Sequence, residues 1–177
     1  MGRGASKIGG GGGNGAITNF EKKIYQNDSE SAMIITAQGE VITFNSGNEN
    51  HVFGSDADIA KMSGGIATHN HPNNSTFSST DVANGIAKGN LKEMRIVTKN
   101  GEVHTLTNNN ATLEQRRAFS AQYRNQEMKA TNNVHKKQAR GESVNSADYI
   151  KNFMGNWMSN HASEYGLSFN KSKVKVR

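Results

Sequence analysis

Two histidines and an acidic residue lie close together between positions 68 and 81 of this 177-residue chain. His69 and His71 follow a short apolar run, and Pro72, the only proline, comes directly after them. If the run continues as a β-strand to residue 71, side chains two positions apart project from the same face. The two imidazoles then share one face and form half of a metal site.

The acidic residue of this stretch, Asp81, is expected at the start of a helix. Ser78 is a good N-cap residue three positions earlier, and Val82 and Ile86 continue at helical spacing. Pro72 ends the strand because it has no N–H to donate, so the chain turns between the histidines and the helix. Two neutral imidazoles, one carboxylate and a water in the fourth position are the ligands of a catalytic zinc site, which lowers the pKa of that water to about 7.

A simpler interpretation of these residues stays open. Ser78 and Asp81 could form only a capping pair, and His69 and His71 could lie on the solvent side of an edge strand. The combination of the two features is more specific than either feature alone. We therefore predict zinc as the cofactor, with His69, His71 and Asp81 as its ligands.

The segments HNHP at 69–72 and SSTD at 78–81 together resemble the signature of the JAMM zinc metalloproteases, also called MPN-plus or JAB-domain proteins. That signature is H-x-H-P, a short spacer, then S-x-x-D. Its commonest spacer has six residues, whereas 73–77 supplies five. The short spacer and the HNHP string look like the phage, polymorphic-toxin and RadC-like bacterial members of the family.

The resemblance implies a fold, an activity and roles for individual residues. The fold is α/β, a mixed sheet flanked by helices of the JAMM/MPN, cytidine-deaminase-like type. The activity is hydrolysis of a peptide or isopeptide bond in a protein or peptide substrate, which includes ubiquitin-like conjugates. Ser78 would hydrogen-bond to the water or to the developing oxyanion. Glu30 resembles the family's upstream glutamate, which acts as general base and then protonates the leaving amine.

Glu40 is the alternative to Glu30 as general base. It belongs to the turn between two predicted strands and would point away from the histidines, whereas Glu30 stands just before an apolar strand. We therefore favour Glu30. His51, which precedes a short apolar pair, is interpreted as structural rather than as a fourth ligand.

Alternating strands and helices are predicted between residues 20 and 111, where they must position these side chains. The predicted strands are 32–36, 41–44, 51–53, 66–71, 94–98 and 103–106, with short helices at 56–62 and from residue 78. Asn100-Gly101 predicts a type I′ turn between the last two strands. His104, which alternates with Val103, is predicted at the surface. The whole segment is interpreted as the JAMM-like metalloprotease core.

Two flanking segments differ from this core. Residues 1–19 are rich in glycine and are predicted to form a flexible leader. Residues 112–177 hold 12 basic and 5 acidic residues, and their apolar spacing predicts helices at 112–140 and 143–161 with a basic tail. We interpret 112–177 as a basic helical extension that could contact nucleic acid. The alternative function is therefore a non-catalytic, nucleic-acid-associated or virion-interaction module of RadC-like type.

The composition narrows the class of protein further. The net charge is +6, 33% of the residues are hydrophobic, and the mean hydropathy is −0.74. No apolar run approaches the length of a membrane span, so no membrane partner is predicted. The absence of cysteine excludes disulfides and thiolate zinc sites and suits a reducing compartment. These features favour a cytoplasmic location and leave the oligomeric state open. The resemblance to HNHP-type members implies a bacterial or phage-encoded protein.

Overall fold

One seven-stranded sheet organises the protein in the computed structural model, which describes residues 3–7, 13–45 and 55–175. The strand order is β1-β3-β2-β4-β5-β6-β7. The strands are β1 (Arg3–Lys7), β2 (Ser31–Ile35), β3 (Glu40–Asn45), β4 (Ile66–His71), β5 (Glu93–Thr98), β6 (Glu102–Asn108) and β7 (Leu167–Lys173). Neighbouring strands are antiparallel except β4 and β5, which are parallel. The predicted mixed α/β sheet is therefore confirmed.

Helices cover both faces of this sheet. They are α1 (Gly13–Ile24), α2 (Asp56–Ala60), α3 (Ser79–Asp81) with its π-helical continuation (Val82–Lys88), α4 (Leu113–Ala139) and α5 (Ser146–His161). On one face Ile17 of α1 packs against Met33 and Ile35 of β2. On the other face α3, α4 and α5 cover the alternate side chains of β2, Ala32 and Ile34, because successive residues of a strand point to opposite faces.

Close packing against β5 sets the position of the helix that begins with α3. A Cβ added to Gly85 in the π-helical continuation would lie 2.6 Å from Sδ of Met94, and real Cβ atoms do not approach other atoms that closely. The absence of a side chain at residue 85 therefore lets the helix lie directly on the sheet. Asp81, at the start of this helix, is held at a defined height above the strands.

The predicted leader differs from the structure. The backbone of Arg3–Lys7 pairs with β3 as an edge strand, and α1 begins at Gly13, inside the segment that the glycine content marked as flexible. Ile17 and Ile24 of α1 are buried, seven residues and about two helical turns apart. The glycines precede this apolar stripe rather than interrupt it, so the helix forms despite them.

The predicted helices at 112–140 and 143–161 are confirmed as α4 and α5, but they do not form a separate appendage. Phe119 of α4 and Met154 of α5 are fully buried in the same core as the sheet residues. The tail continues as β7, which pairs with β6 along seven residues. The apolar stripes of both helices are used to cover the sheet, so residues 112–175 belong to the same layered domain.

Two smaller predictions also differ or fall outside the described residues. The predicted strand at 51–53 lies outside the part of the chain that the structure describes. In the β5–β6 hairpin only Gly101 has a positive φ, of 85°, so the predicted type I′ turn, which needs two such residues, does not form. Over the described residues no helix is long and apolar enough to cross a bilayer.

Candidate metal site

Strand β4 brings His69 and His71 to the face of the sheet that α3, α4 and α5 cover. Both lie on one face, as the alternation of side chains predicts. Ala67, His69 and His71 point to that face, whereas Thr68 and Asn70 point to the face covered by α1. Both histidines are buried, with 1% and 5% of their surface exposed. They belong to a central strand, so the alternative in which they lie on the solvent side of an edge strand is wrong.

Asp81 is positioned by a capping box. Oγ of Ser78 accepts a hydrogen bond from the N–H of Asp81 (3.0 Å), and the N–H of Ser78 donates to Oδ2 of Asp81 (2.8 Å). The same Oδ2 lies 3.5 Å from Nε2 of His69 and 3.5 Å from Nε2 of His71. Capping and contact with the histidines are therefore not alternatives, because the cap directs the carboxylate toward the imidazoles.

These three side chains form a compact set of metal-ligating atoms. The two Nε2 atoms are 2.8 Å apart, and all three ligand atoms lie within 4.8 Å of one another. Donor atoms around tetrahedral zinc, with bonds of about 2.0–2.1 Å, are roughly 3.3 Å apart. The two 3.5 Å separations are close to that value, and the imidazoles need to separate by only about half an ångström.

The hydrogen bonds of His71 favour the tautomer that a metal requires. Nδ1 of His71 lies 3.1 Å from the carbonyl oxygen of Ser75, which can only accept a hydrogen bond. Nδ1 therefore carries the proton in the neutral ring, and the lone pair of Nε2 points at His69 and Asp81. The donor set thus fits a zinc ion bound by two imidazoles and one carboxylate.

The Asp81 carboxylate and the imidazoles that face it determine the electrostatics of the site. Burial opposes ionisation of Asp81, but the facing imidazoles of His69 and His71 outweigh it and hold the pKa of that carboxyl well below its usual range. Burial also acts to lower the pKa of His71. The hydrogen bond and charge of Asp81, together with the charge of Glu30, raise the pKa of His71 above its usual value. An added positive charge is therefore favoured at this point.

Glu30 lies beside the site, and Glu40 does not. In the antiparallel β2–β4 pair, Ala32 is opposite His69, and Glu30 directly precedes β2 at the end of the pair nearest His71. The effect of the Glu30 carboxylate on the pKa of His71 agrees with that placement. Glu40 begins β3 at the other end of the hairpin, where its carboxylate pairs with Lys61 at 3.6 Å.

Asn70 contacts the segment that carries Glu30, and the sequence did not predict this. Its side chain is fully buried on the α1 face of the sheet. Oδ1 accepts a hydrogen bond from the N–H of Ser31 (2.7 Å), and Nδ2 donates to the carbonyl oxygen of Ser29 (3.0 Å). Asn70 therefore holds both neighbours of Glu30 in place. No local pattern reveals this role, because the partners are 39 and 41 positions away.

His104 is the second residue whose surroundings the sequence did not reveal. It is fully buried, so the prediction that it lies at the surface is wrong. Its Nδ1 lies 2.8 Å from Oγ1 of Thr76, in the loop that joins His71 to Ser78. The neighbouring Phe77 accepts a hydrogen bond at its carbonyl oxygen from the hydroxyl of Tyr123 (2.6 Å). These two contacts anchor the loop that sets the distance between the histidines and Asp81.

The alternation of β6 places Val103 and His104 on opposite faces of the sheet, but it does not reveal that both faces are covered, as the burial of both residues shows. Strand β7 pairs with β6 along its outer edge. Its residue Phe169 packs edge-to-face against the His104 ring, with centroids 5.8 Å apart. Burial lowers the pKa of His104 to about 4, so the ring is neutral at physiological pH.

Comparison of the chain with protein-family models, curated proteins and solved structures found no match, so the functional proposal depends on the chain's own residues.

Proposed function

We propose that the protein is a zinc-dependent metallopeptidase of JAMM type that hydrolyses a peptide or isopeptide bond. One observation supports this proposal most directly. Nε2 of His69, Nε2 of His71 and Oδ2 of Asp81 converge to within 3.5 Å of one another, both histidines are buried, and the charge of Glu30 acts on His71. Three ligands with an open fourth position are typical of catalytic rather than structural zinc.

The proposed chemistry divides between the ion and the chain. A zinc ion bound here would supply a Lewis acid that polarises the scissile carbonyl and lowers the pKa of the attacking water. Asp81 is kept ionised by its histidine neighbours, and the Ser78 N–H fixes which carboxylate oxygen faces them. Both features prepare the ligands before any ion arrives.

Glu30 moves the proton in this mechanism. It accepts a proton from the attacking water and then gives it to the leaving amine, which needs a carboxylate held in a fixed place. Asn70 provides that position through its hydrogen bonds to Ser29 and Ser31. Ser78 accepts a hydrogen bond from Asp81 at its Oγ, so its hydroxyl proton is available to donate to the oxyanion that develops on the substrate.

Metal content tests the proposal first. The purified protein should contain about one zinc per chain by plasma mass spectrometry, and His71→Ala should lose it. His135→Ala is the matched control, because His135 is an exposed histidine of α4. A wild-type protein that neither contains zinc nor takes it up on addition would overturn the proposal.

Activity tests the role of Glu30. On a panel of peptide and isopeptide substrates, Glu30→Gln should lower kcat by about 10²–10⁴ while it keeps the metal. Glu40→Gln, the control at the other end of the hairpin, should remain as active as wild type. Asn70→Ala should lower kcat with little change in KM, because it displaces Glu30 without touching substrate. Equal losses in the Glu30 and Glu40 variants would refute the assignment of the base.

A further inference from the structure

A groove of about 820 Å³ runs between the helix that starts at α3 and the N-terminal half of α4. Ser79 and Thr80 line it from α3, and Lys88 lines it from the π-helical continuation. Ser79 and Thr80 stand between Ser78 and Asp81 in the chain. One part of the groove wall therefore belongs to the turn of helix that holds the proposed zinc ligand.

The groove is positively charged. Among the described residues that line it, three are basic, Lys88, Arg117 and Arg124, and none is acidic. All three are exposed. Exposed cations in a concave surface raise the local concentration of anionic ligands. The groove is therefore complementary to a negatively charged partner.

Arg117 and Arg124 differ from Arg95 and Arg140 in their ion pairing. Arg95 forms a two-point contact with Glu21, and Arg140 pairs with Glu142 at 2.9 Å. Within the described part of the chain, neither Arg117 nor Arg124 forms an ion pair. Their planar donor groups are therefore available for a carboxylate.

The remaining lining favours a polypeptide over a nucleic acid. Leu113 is 46% exposed, which makes it one of two large apolar side chains exposed in the described residues, and it lines the groove. Ala83 and Ala87 add small apolar contacts on the opposite wall. No aromatic ring is among the described lining residues, so the bases of a single strand would find no stacking surface.

We propose that this groove binds an acidic segment of the protein substrate. Carboxylates of that segment pair with Arg117 and Arg124, and an apolar side chain packs on Leu113. The two arginines are seven residues apart on α4, or about 10 Å, which equals roughly three residues of an extended chain. The inference deepens the proposed function, on which it rests, by assigning acidic proteins as the substrate class.

Binding of a labelled peptide tests the inference without any hydrolysis. The probe is a fluorescein-labelled peptide of about twelve residues composed of Glu, Ser and one Leu, long enough to span the groove. Fluorescence anisotropy is measured with the Glu30→Gln protein of 177 residues, and the reference probe has Gln in place of every Glu. The acidic probe should bind at least about tenfold more tightly than the reference, and less tightly at high salt.

A pair of matched variants locates the binding. Arg117→Glu/Arg124→Glu reverses two charges in the groove, and Lys129→Glu/Lys136→Glu reverses two exposed charges on α4 at the same seven-residue spacing. The groove variant should weaken binding of the acidic probe about tenfold or more, whereas the control should change it about twofold or less. Far-ultraviolet circular dichroism confirms that both proteins remain folded.

Three results would overturn the inference. Equal losses in the two double variants would show a diffuse effect of the basic surface. Absence of binding by the acidic probe would exclude an acidic segment. Tighter binding of a single-stranded oligonucleotide of the same length, lost in the groove variant, would assign the groove to nucleic acid. Each result is independent of catalysis, so failure of the zinc peptidase proposal and failure of this inference are distinguishable.

Discussion

Two buried polar clusters lie on opposite faces of β4, and their bonding differs in kind. On the α1 face, the guanidinium of Arg95 contacts both carboxylate oxygens of Glu21, at 2.6 and 2.9 Å, and Thr68 donates to the same carboxylate at 2.8 Å. On the other face, His69, His71 and Asp81 bring two imidazoles and a carboxylate together. The first cluster is complete without any added group.

The two clusters differ in how their charged groups are paired. In the first cluster the guanidinium of Arg95 pairs with the buried carboxylate of Glu21 and, at 3.0 Å, with that of Glu93, and both carboxylate oxygens of Glu21 have a donor. In the metal-site cluster two imidazole nitrogens 2.8 Å apart face one carboxylate oxygen, and the negative charge of Asp81 acts to raise the pKa of His71. The ion pairs on the α1 face therefore stabilise the fold, whereas His69, His71 and Asp81 on the opposite face form a group that could hold a metal ion.

Removal of Arg95 should have the largest effect and should leave the metal site intact. Arg95→Met leaves the Glu21 carboxylate buried without its cation, which should lower the free energy of unfolding by about 3–5 kcal/mol in urea titrations. The folded fraction should still bind one zinc per chain. Loss of zinc from folded protein would show that the two faces are not independent.

Zinc should stabilise the wild-type protein by a comparable amount, and only through the histidine face. At a free zinc concentration 100 to 1000 times the dissociation constant, the free energy of unfolding should rise by about 3–4 kcal/mol. Thermal denaturation with and without a chelator measures this change. Arg95→Met should show the same increase as wild type, whereas an increase that persists in His71→Ala would place the metal elsewhere.

His104 is a buried histidine on the same face of the sheet as His69 and His71. It tests whether burial alone shifts the pKa of a histidine in the direction found for His71. The groups that act on His104 are Glu102, Lys171, Lys151 and His71, and burial dominates, so its pKa falls to about 4 whereas that of His71 rises. Below the ordinary pKa of 6.5 the unfolded chain binds a proton at His104 that the folded chain does not. Stability should therefore fall as the pH drops from about 6.5 toward 4.

The variant His104→Asn isolates this contribution. It retains a polar group near Thr76 and removes the titration, so the wild type should lose about 2 kcal/mol more than the variant between neutral pH and about pH 4.5. Urea titrations at several pH values measure the difference. Parallel pH profiles for the two proteins would contradict the prediction.

The capping serine should have the smallest effect. Ser78→Ala removes the acceptor for the Asp81 N–H and should cost about 1 kcal/mol of folding free energy. Zinc affinity should fall only slightly, because the Ser78 N–H that orients Oδ2 belongs to the backbone and remains. Ser78→Thr, which retains a capping hydroxyl, is the control and should restore the stability. A complete loss of zinc in Ser78→Ala would show that the hydroxyl itself holds the metal site together.

Local patterns predicted the parts of the site that depend on local geometry. The alternation of β4 places His69 and His71 on one face, and the Ser78 cap places Asp81 in the first turn of its helix. Both rules act over only a few residues. The preference for Glu30 rather than Glu40 as the candidate general base used the position of Glu30 just before an apolar strand. The pairing of β2 with β4 agrees with that preference.

Contacts between residues far apart in the chain explain where the structure differs from the predictions made from the sequence. The glycine content of residues 1–19 predicted a flexible segment, so the start of α1 was not predicted. Packing of its apolar face on β2 stabilises this helix. The basic charge of residues 112–177 suggested an independent unit, yet Phe119 and Met154 are buried against the sheet. Net charge describes the solvent-exposed surface, whereas the few buried apolar side chains decide where a helix packs.

The amino-acid sequence by itself determined the types of the candidate metal-binding residues, their spacing and the elements that present them. Alternation and capping are properties of the local backbone, so they need no knowledge of the rest of the chain. Only the tertiary structure decided that Asn70 holds the Glu30 segment, that His104 is buried and that Arg117 and Arg124 share a groove with α3. Those features join residues far apart in the chain, and such contacts exist only once the sheet and its helices have packed together.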